Sequence, residues 1–181
     1  MREGESRLTR DDFAARAMAC LEDLTAFARR LTRNAADADD VVQGTFERAF
    51  RSWRELREPK ACRAWMFRIA RNLHLNRQRA AVTRAELHLV EDEESVAPEM
   101  VVSPAQVERL QAHDLEAALD RLLPEQRDAV LLCDLWGFQY EEIASITGSP
   151  LGTVRSRIAR GRVRLAGLLA AWKADAGGQR Q

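Results

Sequence analysis

Apolar residues recur along this chain at helical spacings and almost nowhere alternate with polar ones. Ala, Leu, Arg and Glu are abundant, and the few glycines and prolines fall at the edges of apolar-periodic segments, so the pattern predicts helices throughout. The first begins near "TRDDF", where Thr9 and Asp12 have capping-box spacing with Asp in place of Glu, and runs on through Leu21, Leu24, Phe27 and Leu31. A second starts near Asn34, with Asp37, Asp39 and Asp40 favouring the positive end of its dipole. Val42, Phe46, Phe50 and Trp53 form its apolar face and read as core. After "RELREPKACR" a third is predicted from about Ala64 to Gln78, with Trp65, Ile69 and Leu73 as its core stripe.

Beyond this helix the character changes. From Glu91 to His113 six acids, Glu91, Asp92, Glu93, Glu94, Glu99 and Glu108, face the single base Arg109, and Pro98 and Pro104 interrupt regular structure. Residues 83–102, Thr83 to Val102, therefore read as a flexible acidic linker. Helices resume at "SPAQ", where Ser103 suits an N-cap, Pro104 the first helical position and Gln106 the end of the box, and they restart at Pro124. The fold class expected is all-α. Two small helical domains, residues 8–82 and 103–173, flank the linker, and a frayed tail covers 174–181.

Composition refines this picture only locally. A hydrophobic fraction of 46% over 181 residues supports real cores, and the formal net charge of +0 argues neither for nor against a nucleic-acid partner. No apolar stretch is long enough to span a bilayer, and the amino end "MREGESRLTRDDF" lacks a signal-peptide core, so a cytoplasmic protein without membrane insertion is expected. Cys20, Cys62 and Cys133 are scattered, with no metal-ligand spacing, and read as reduced thiols. His74, His88 and His113 have no nucleophile or acid partner, and no glycine-rich phosphate loop is present. No enzyme, no metal and no cofactor are expected.

The charge is distributed unevenly. Arg155, Arg157, Arg160, Arg162 and Arg164 follow one another with no acid after Glu142 in that run. They follow a short apolar helix carrying Ile143, Ala144 and Ile146, then Gly148, which tolerates positive φ, then "SPLG". That order makes a helix-turn-helix. At about 100° per residue Val154, Ile158, Gly161, Leu165 and Leu168 share a packing face, whereas Thr153, Ser156 and Arg160 lie opposite with Arg155 at the edge. In such a motif the second helix enters the major groove, where arginine bonds guanine edges in pairs and hydroxyls reach bases or phosphates. Arg155, Ser156 and Arg160 are assigned to bases, and Arg157, Arg162 and Arg164 to phosphates. A solvated basic face is the weaker alternative.

At this point the sequence resembles the extracytoplasmic-function (ECF) group of the sigma-70 superfamily. "FARRLTRNAADADDVVQGTFERAFRSW" is similar to that family's regions 2.1 to 2.2, "ACRAWMFRIARNLHLNRQR" to regions 2.3 to 2.4, and "LPEQRDAVLLCDLWGFQYEEIASITGSPLGTVRSRIARGRVRL" to regions 4.1 to 4.2. The resemblance implies a region 2 bundle that binds core RNA polymerase and helps to melt the −10 element, and a region 4 helix-turn-helix that reads the −35 element. It implies docking on the β′ clamp helices, for which Asp40, Gln43 and Glu47 are the exposed candidates, and a region 4 contact with the β flap. For the −10 element it implies Arg68, Asn72, Asn76 and Arg79, with Lys60 and Arg63 from the bordering loop. For the −35 element it implies Tyr140, Thr153, Arg155, Ser156, Arg157, Arg160 and Arg162. Promoter DNA and an anti-sigma factor are the further partners implied.

Two departures from the family pattern stand out. Gly44 takes the place of a usual glutamate, costing about 1 kcal/mol of helix propensity relative to alanine and a potential clamp contact. Cys62 takes the place of an aromatic that would stack on an unpaired base. Trp65 could supply a platform, but in a Trp-Ile-Leu stripe it reads as core. Two alternatives stay open on sequence alone. One is a freestanding helix-turn-helix regulator, and the other is a sigma-like competitor whose Gly44 and Cys62 impair polymerase binding or melting.

Overall fold

The computed structural model describes residues 9–32, 34–56, 58–87 and 115–178, with the side chains of 81–87 and 171–178 left aside. Among the described residues there is helix and no strand. The described residues divide into two units, one made of those up to Leu87 together with Ala144–Gly148, and the other of the remaining residues from 115 onward. The segment of 88–114, with the predicted cap at Ser103, lies outside the described residues.

In the amino-terminal unit α1 (Arg10–Ala19) opens as its sequence predicts. The Thr9 hydroxyl accepts the Asp12 backbone N–H at 3.1 Å, and the Asp12 carboxylate accepts the Thr9 N–H in return. These bonds hold the Asp12 carboxyl below its ordinary range. The helix does not continue through Leu21, however. At Cys20 the backbone sits at φ −91° and ψ −3°, and α2 (Leu21–Thr32) starts anew with Glu22 and Asp23 in its first turn. The break turns Phe13 and Ala17 on one side of it, and Leu24, Phe27 and Ala28 on the other, into the interior, while Leu21 is left exposed. One continuous helix has no such choice of face.

α3 (Ala35–Ser52) is capped as expected, the Asn34 side chain accepting the Asp37 N–H at 2.8 Å. Its buried face is not the predicted one. Ala38, Val41, Thr45 and Ala49 are fully buried, and Val42, Phe46, Phe50 and Trp53 are only partly covered. Small residues let α3 approach its neighbours closely, which bulky side chains on the same stripe would prevent. Thr45 is admitted because its hydroxyl donates to the Val41 carbonyl at 2.6 Å. Phe50 and Trp53 wrap around the margin instead, with ring centroids 5.2 and 6.3 Å from that of Phe13.

Two short 3₁₀ turns, Trp53–Glu55 and Pro59–Ala61, lead into α4 (Cys62–Leu87). This helix is longer than predicted at both ends, and its last turns, over Thr83 to Leu87, occupy the start of the segment expected to be linker. Its first half is buried nearly all round. Cys62, Ala64, Trp65, Met66, Phe67, Ile69 and Ala70 are all interior, and Phe67 stacks on Phe27 at 4.7 Å. Leu73, the third member of the predicted stripe, is half-buried.

The carboxyl-terminal unit contains α5 (residues 115–120) and α6 (Pro124–Val130), the latter starting at the proline that marks it in the sequence. α6 runs into a π-helical turn, Leu131–Leu135, where the Trp136 N–H bonds back to the Leu131 carbonyl at 3.2 Å. After Gly137 come α7 (Tyr140–Thr147) and α8 (Leu151–Gly178). α8 crosses α6 at Gly161. A Cβ built there would stand 2.7 Å from Val130 Cγ2 and 3.3 Å from the Gln126 carbonyl oxygen, so only glycine permits this approach. The helix also continues past 173, through the first residues expected to be a frayed tail.

Candidate nucleic-acid interface

The turn between α7 and α8 is short because Gly148 adopts φ +65°, a left-handed conformation that a side chain disfavours. Ser149 and Pro150 follow, and the Val154 N–H bonds to the Pro150 carbonyl at 3.0 Å to open α8. Val154, Ile158 and Gly161 are buried, as the wheel predicts, so α8 turns its opposite side outward. Arg155, Arg160, Arg162 and Arg164 are exposed there, Thr153, Ser156 and Arg157 are half-buried, and Tyr140 is half-buried at the start of α7.

Several of these side chains are already held by the protein. Arg160 Nη2 donates to Ser156 Oγ at 3.1 Å, and Ser156 Oγ donates to the Thr153 carbonyl at 3.0 Å, a relay along the outer face. Arg157 Nη1 donates to Ser149 Oγ at 2.6 Å, tying the helix to its own turn. Arg162 donates from Nε to Asp134 Oδ2 at 3.0 Å and from Nη2 to Asp134 Oδ1, and the same Nη2 lies 3.4 Å from Cys133 Sγ. The bonds from Arg162 hold the Asp134 carboxyl below its ordinary range, and burial pushes the Cys133 thiol up. Neither Ser149 nor Asp134 is visible as a partner in the sequence, because each pairing depends on how the chain folds back.

On α4 the predicted row is present and graded. Arg68 is half-buried where the helix is still enclosed, and Asn72, Asn76 and Arg79 are exposed beyond it. Amides in such a row both donate to and accept from the edge of an unpaired base. Lys60 is exposed on the second 3₁₀ turn, but Arg63 is drawn inward. Its Nε and Nη2 both donate to Asp23 Oδ2, at 3.0 and 2.8 Å, and its guanidinium lies 5.5 Å from the Phe67 ring centroid. Arg63 thus ties α4 to α2. Cys62 is 3% exposed, with its thiol pushed up to about 11, first by burial, so its position faces the interior and a side chain there offers no stacking surface. Trp65 is core, as its stripe suggests.

The third set lies on α3. Asp40, Gln43 and Glu47 are exposed along one edge. Gln43 donates to Glu47 at 3.0 Å, and Asp40 lies 3.3 Å from Arg77 of α4. Gly44 sits just inside this edge, where a Cβ would be 3.4 Å from Leu73 Cδ1, an ordinary contact. Among the described residues no group of His, Cys, Asp and Glu is arranged to hold a metal, and no helix is long and apolar enough to cross a membrane.

Residues 17–83 match the family described as Sigma-70 region 2, and residues 112–165 match Sigma-70, region 4. The ECF RNA polymerase sigma factor SigE of Mycolicibacterium smegmatis is 44% identical over 146 residues, which are 79% of this chain and 56% of that protein. The ECF sigma factor EcfG of Rhodopseudomonas palustris is 38% identical over 160 residues, 88% of this chain and 84% of that one. Among solved structures, the sigma factor RpoE from Bartonella quintana, in complex with the anti-sigma factor NepR, superimposes with a TM-score of 0.73 at 34% identity, over 88% of this chain and 98% of that chain. With both sigma regions present in order and such identity across most of a relative's length, the chain belongs to the ECF group of the sigma-70 family, the transcription initiation factors of bacterial RNA polymerase.

Proposed function

We propose that this chain binds core RNA polymerase and directs it to promoters by reading a −35 element with α8 and opening a −10 element along α4. The observation that supports this best is the exposed row of Asn72, Asn76 and Arg79 on α4, in the same chain as the helix-turn-helix. A freestanding regulator has use for the helix-turn-helix but none for that row. Arg155, Arg160, Thr153 and Ser156 read base edges, with Tyr140, Arg157 and Arg164 on the backbone nearby. Arg68 and Arg79 hold phosphates of the strand being exposed, and Lys60 borders the opening. Asn72 and Asn76 take up unpaired bases, returning part of the few kcal/mol that unstacking costs.

Asp40, Gln43 and Glu47 form the docking edge for the β′ clamp helices, and the region 4 unit docks on the β flap. Any chemistry belongs to the polymerase, and the site of action is the cytoplasm. The solved relatives RpoE and CnrH are in complex with the anti-sigma factor NepR and the cytosolic domain of CnrY, and a regulator of that class is proposed for this chain too. The test is to select genomic fragments with the chain plus core polymerase and to probe unpaired thymines with permanganate. Opening should need both components, and Asn72→Ala with Asn76→Ala should abolish opening while duplex recruitment persists. Opening-independent binding of the same fragments by the free chain alone would contradict the proposal.

A further inference from the structure

Arg162 lies on the same edge of α8 as Arg155, seven residues and about 10 Å further along. On that ground alone it belongs with the phosphate contacts. Its hydrogen bonds say otherwise. Both of its forked donors are satisfied by one carboxylate, Asp134, which is carried by the π-helical turn at the end of α6. A bidentate arginine–carboxylate pair fixes direction as well as distance, which a lysine in its place cannot do. The pair also sits one residue beyond Gly161, where α8 packs directly against Gln126 and Val130 of α6. Contact at Gly161 sets how near the two helices lie, and the buried seam of Val154 and Ile158 sets which face of α8 turns inward, but apolar packing alone still allows small rolls about the helix axis. A fork gripped from one side, with a further donor contact to Cys133, removes that freedom.

We propose that Arg162 and Asp134 are positioning residues for promoter recognition: the pair sets the rotation of α8 on α6, and so the direction in which Arg155, Ser156 and Arg160 project. This rests on the reading of α8 as the −35 helix and assigns Arg162 away from the DNA backbone. Because both side chains are close to half exposed, the pair adds little to overall stability, and its effect is on recognition.

The two roles for Arg162 predict opposite results at Asp134. A positioning pair requires the acid, so Asp134→Ala weakens promoter binding even though it removes a negative charge near DNA. A phosphate contact is released by the same change, and binding strengthens. The experiment measures binding of holoenzyme, assembled from core polymerase and the full chain, to the duplex it selects from a randomised pool, across a salt series. Variants are Asp134→Ala, Arg162→Lys, the double variant of these two, Arg162→Ala and Arg155→Ala. The expected result is a loss of roughly three- to tenfold in each of the first two, no further loss in the double, and a salt slope equal to wild type. The proposal is overturned if Asp134→Ala binds more tightly, or if Arg162→Lys binds like wild type while Arg162→Ala lowers the salt slope by about 0.9. Arg155→Ala separates the two levels of argument. If it weakens binding while Asp134→Ala does not, only the positioning role fails; if it has no effect, α8 is not the recognition helix and both readings fall.

Discussion

The polar rows of α4 and α8, proposed above to meet nucleic acid, lie in opposite settings. α4 is enclosed by its neighbours over its first half, so its row emerges only from Asn72 onward, and Arg63 in its first turn is drawn into a fork with Asp23. α8 is buried along a single seam, Val154, Ile158 and Gly161, and its outer side is exposed from the first turns. There the protein orders the side chains by bonding them to one another and to the preceding elements, as with Arg160 and Ser156, Arg157 and Ser149, and Arg162 and Asp134. Enclosure places the first row, and hydrogen bonds place the second.

The largest effect should come from breaking enclosure. Phe67 is fully buried and stacked on Phe27, and Phe67→Ala is expected to cost about 3–5 kcal/mol in the amino-terminal unit. Hydrogen exchange resolved by segment should show protection lost across α2 to α4 and retained in α6 and α8. The same substitution at two glycines then sharpens the contrast. Gly161→Ala drives a Cβ to 2.7 Å from Val130, and overpacking of roughly 1–3 kcal/mol outweighs the gain of about 1 kcal/mol in helix propensity. Gly44→Ala meets only an ordinary contact at Leu73, so the propensity gain stands, and that unit should be stabilised by up to about 1 kcal/mol. Denaturant titrations followed separately in each unit should therefore shift in opposite directions.

Smaller effects concern titration. The Asp134 carboxyl is held below its ordinary range by its bonds to Arg162, so its contribution is fully present above the unfolded value near 4 and is lost as pH falls through the lower folded value. Asp134→Asn should therefore narrow the stability difference from wild type as pH drops from neutral to below about 3, a small change because the pair is solvent-screened. Alkylation should report on the amino-terminal unit, which holds both buried thiols. Cys62, buried with its thiol at about 11, and buried Cys20 should stay unmodified in the folded protein at neutral pH and react on unfolding.

Much of this architecture was legible beforehand, for identifiable reasons. Caps are local, and Thr9 with Asp12 and Asn34 with Asp37 behave as their spacing predicts. The turn at Gly148 is likewise local, and it carries the register of α8 with it. The errors fall where tertiary packing decides. Cys20 interrupts a helix without any breaker in the sequence, because Phe13 and Phe27 must both face the interior. On α3 the bulky residues mark the margin and small ones fill the seam, so a hydrophobicity pattern selects the wrong face by one position. The candidate site shows the same limit. The exposed positions of Asn72, Asn76, Arg155 and Arg160 follow from periodicity, whereas the withdrawal of Arg63 to Asp23 and of Arg162 to Asp134 depends on acids 40 and 28 residues away. A run of arginines without acids on its own helix is still not a run without partners.

Whether this chain works as a polymerase subunit is decided by equilibrium binding of the labelled chain to purified core RNA polymerase. Saturable binding that unlabelled chain competes away, and that charge reversal by Glu47→Lys weakens with the fold intact, is the predicted result. Absence of binding at micromolar core enzyme, with duplex DNA bound by the chain alone in a salt-sensitive manner, would contradict it.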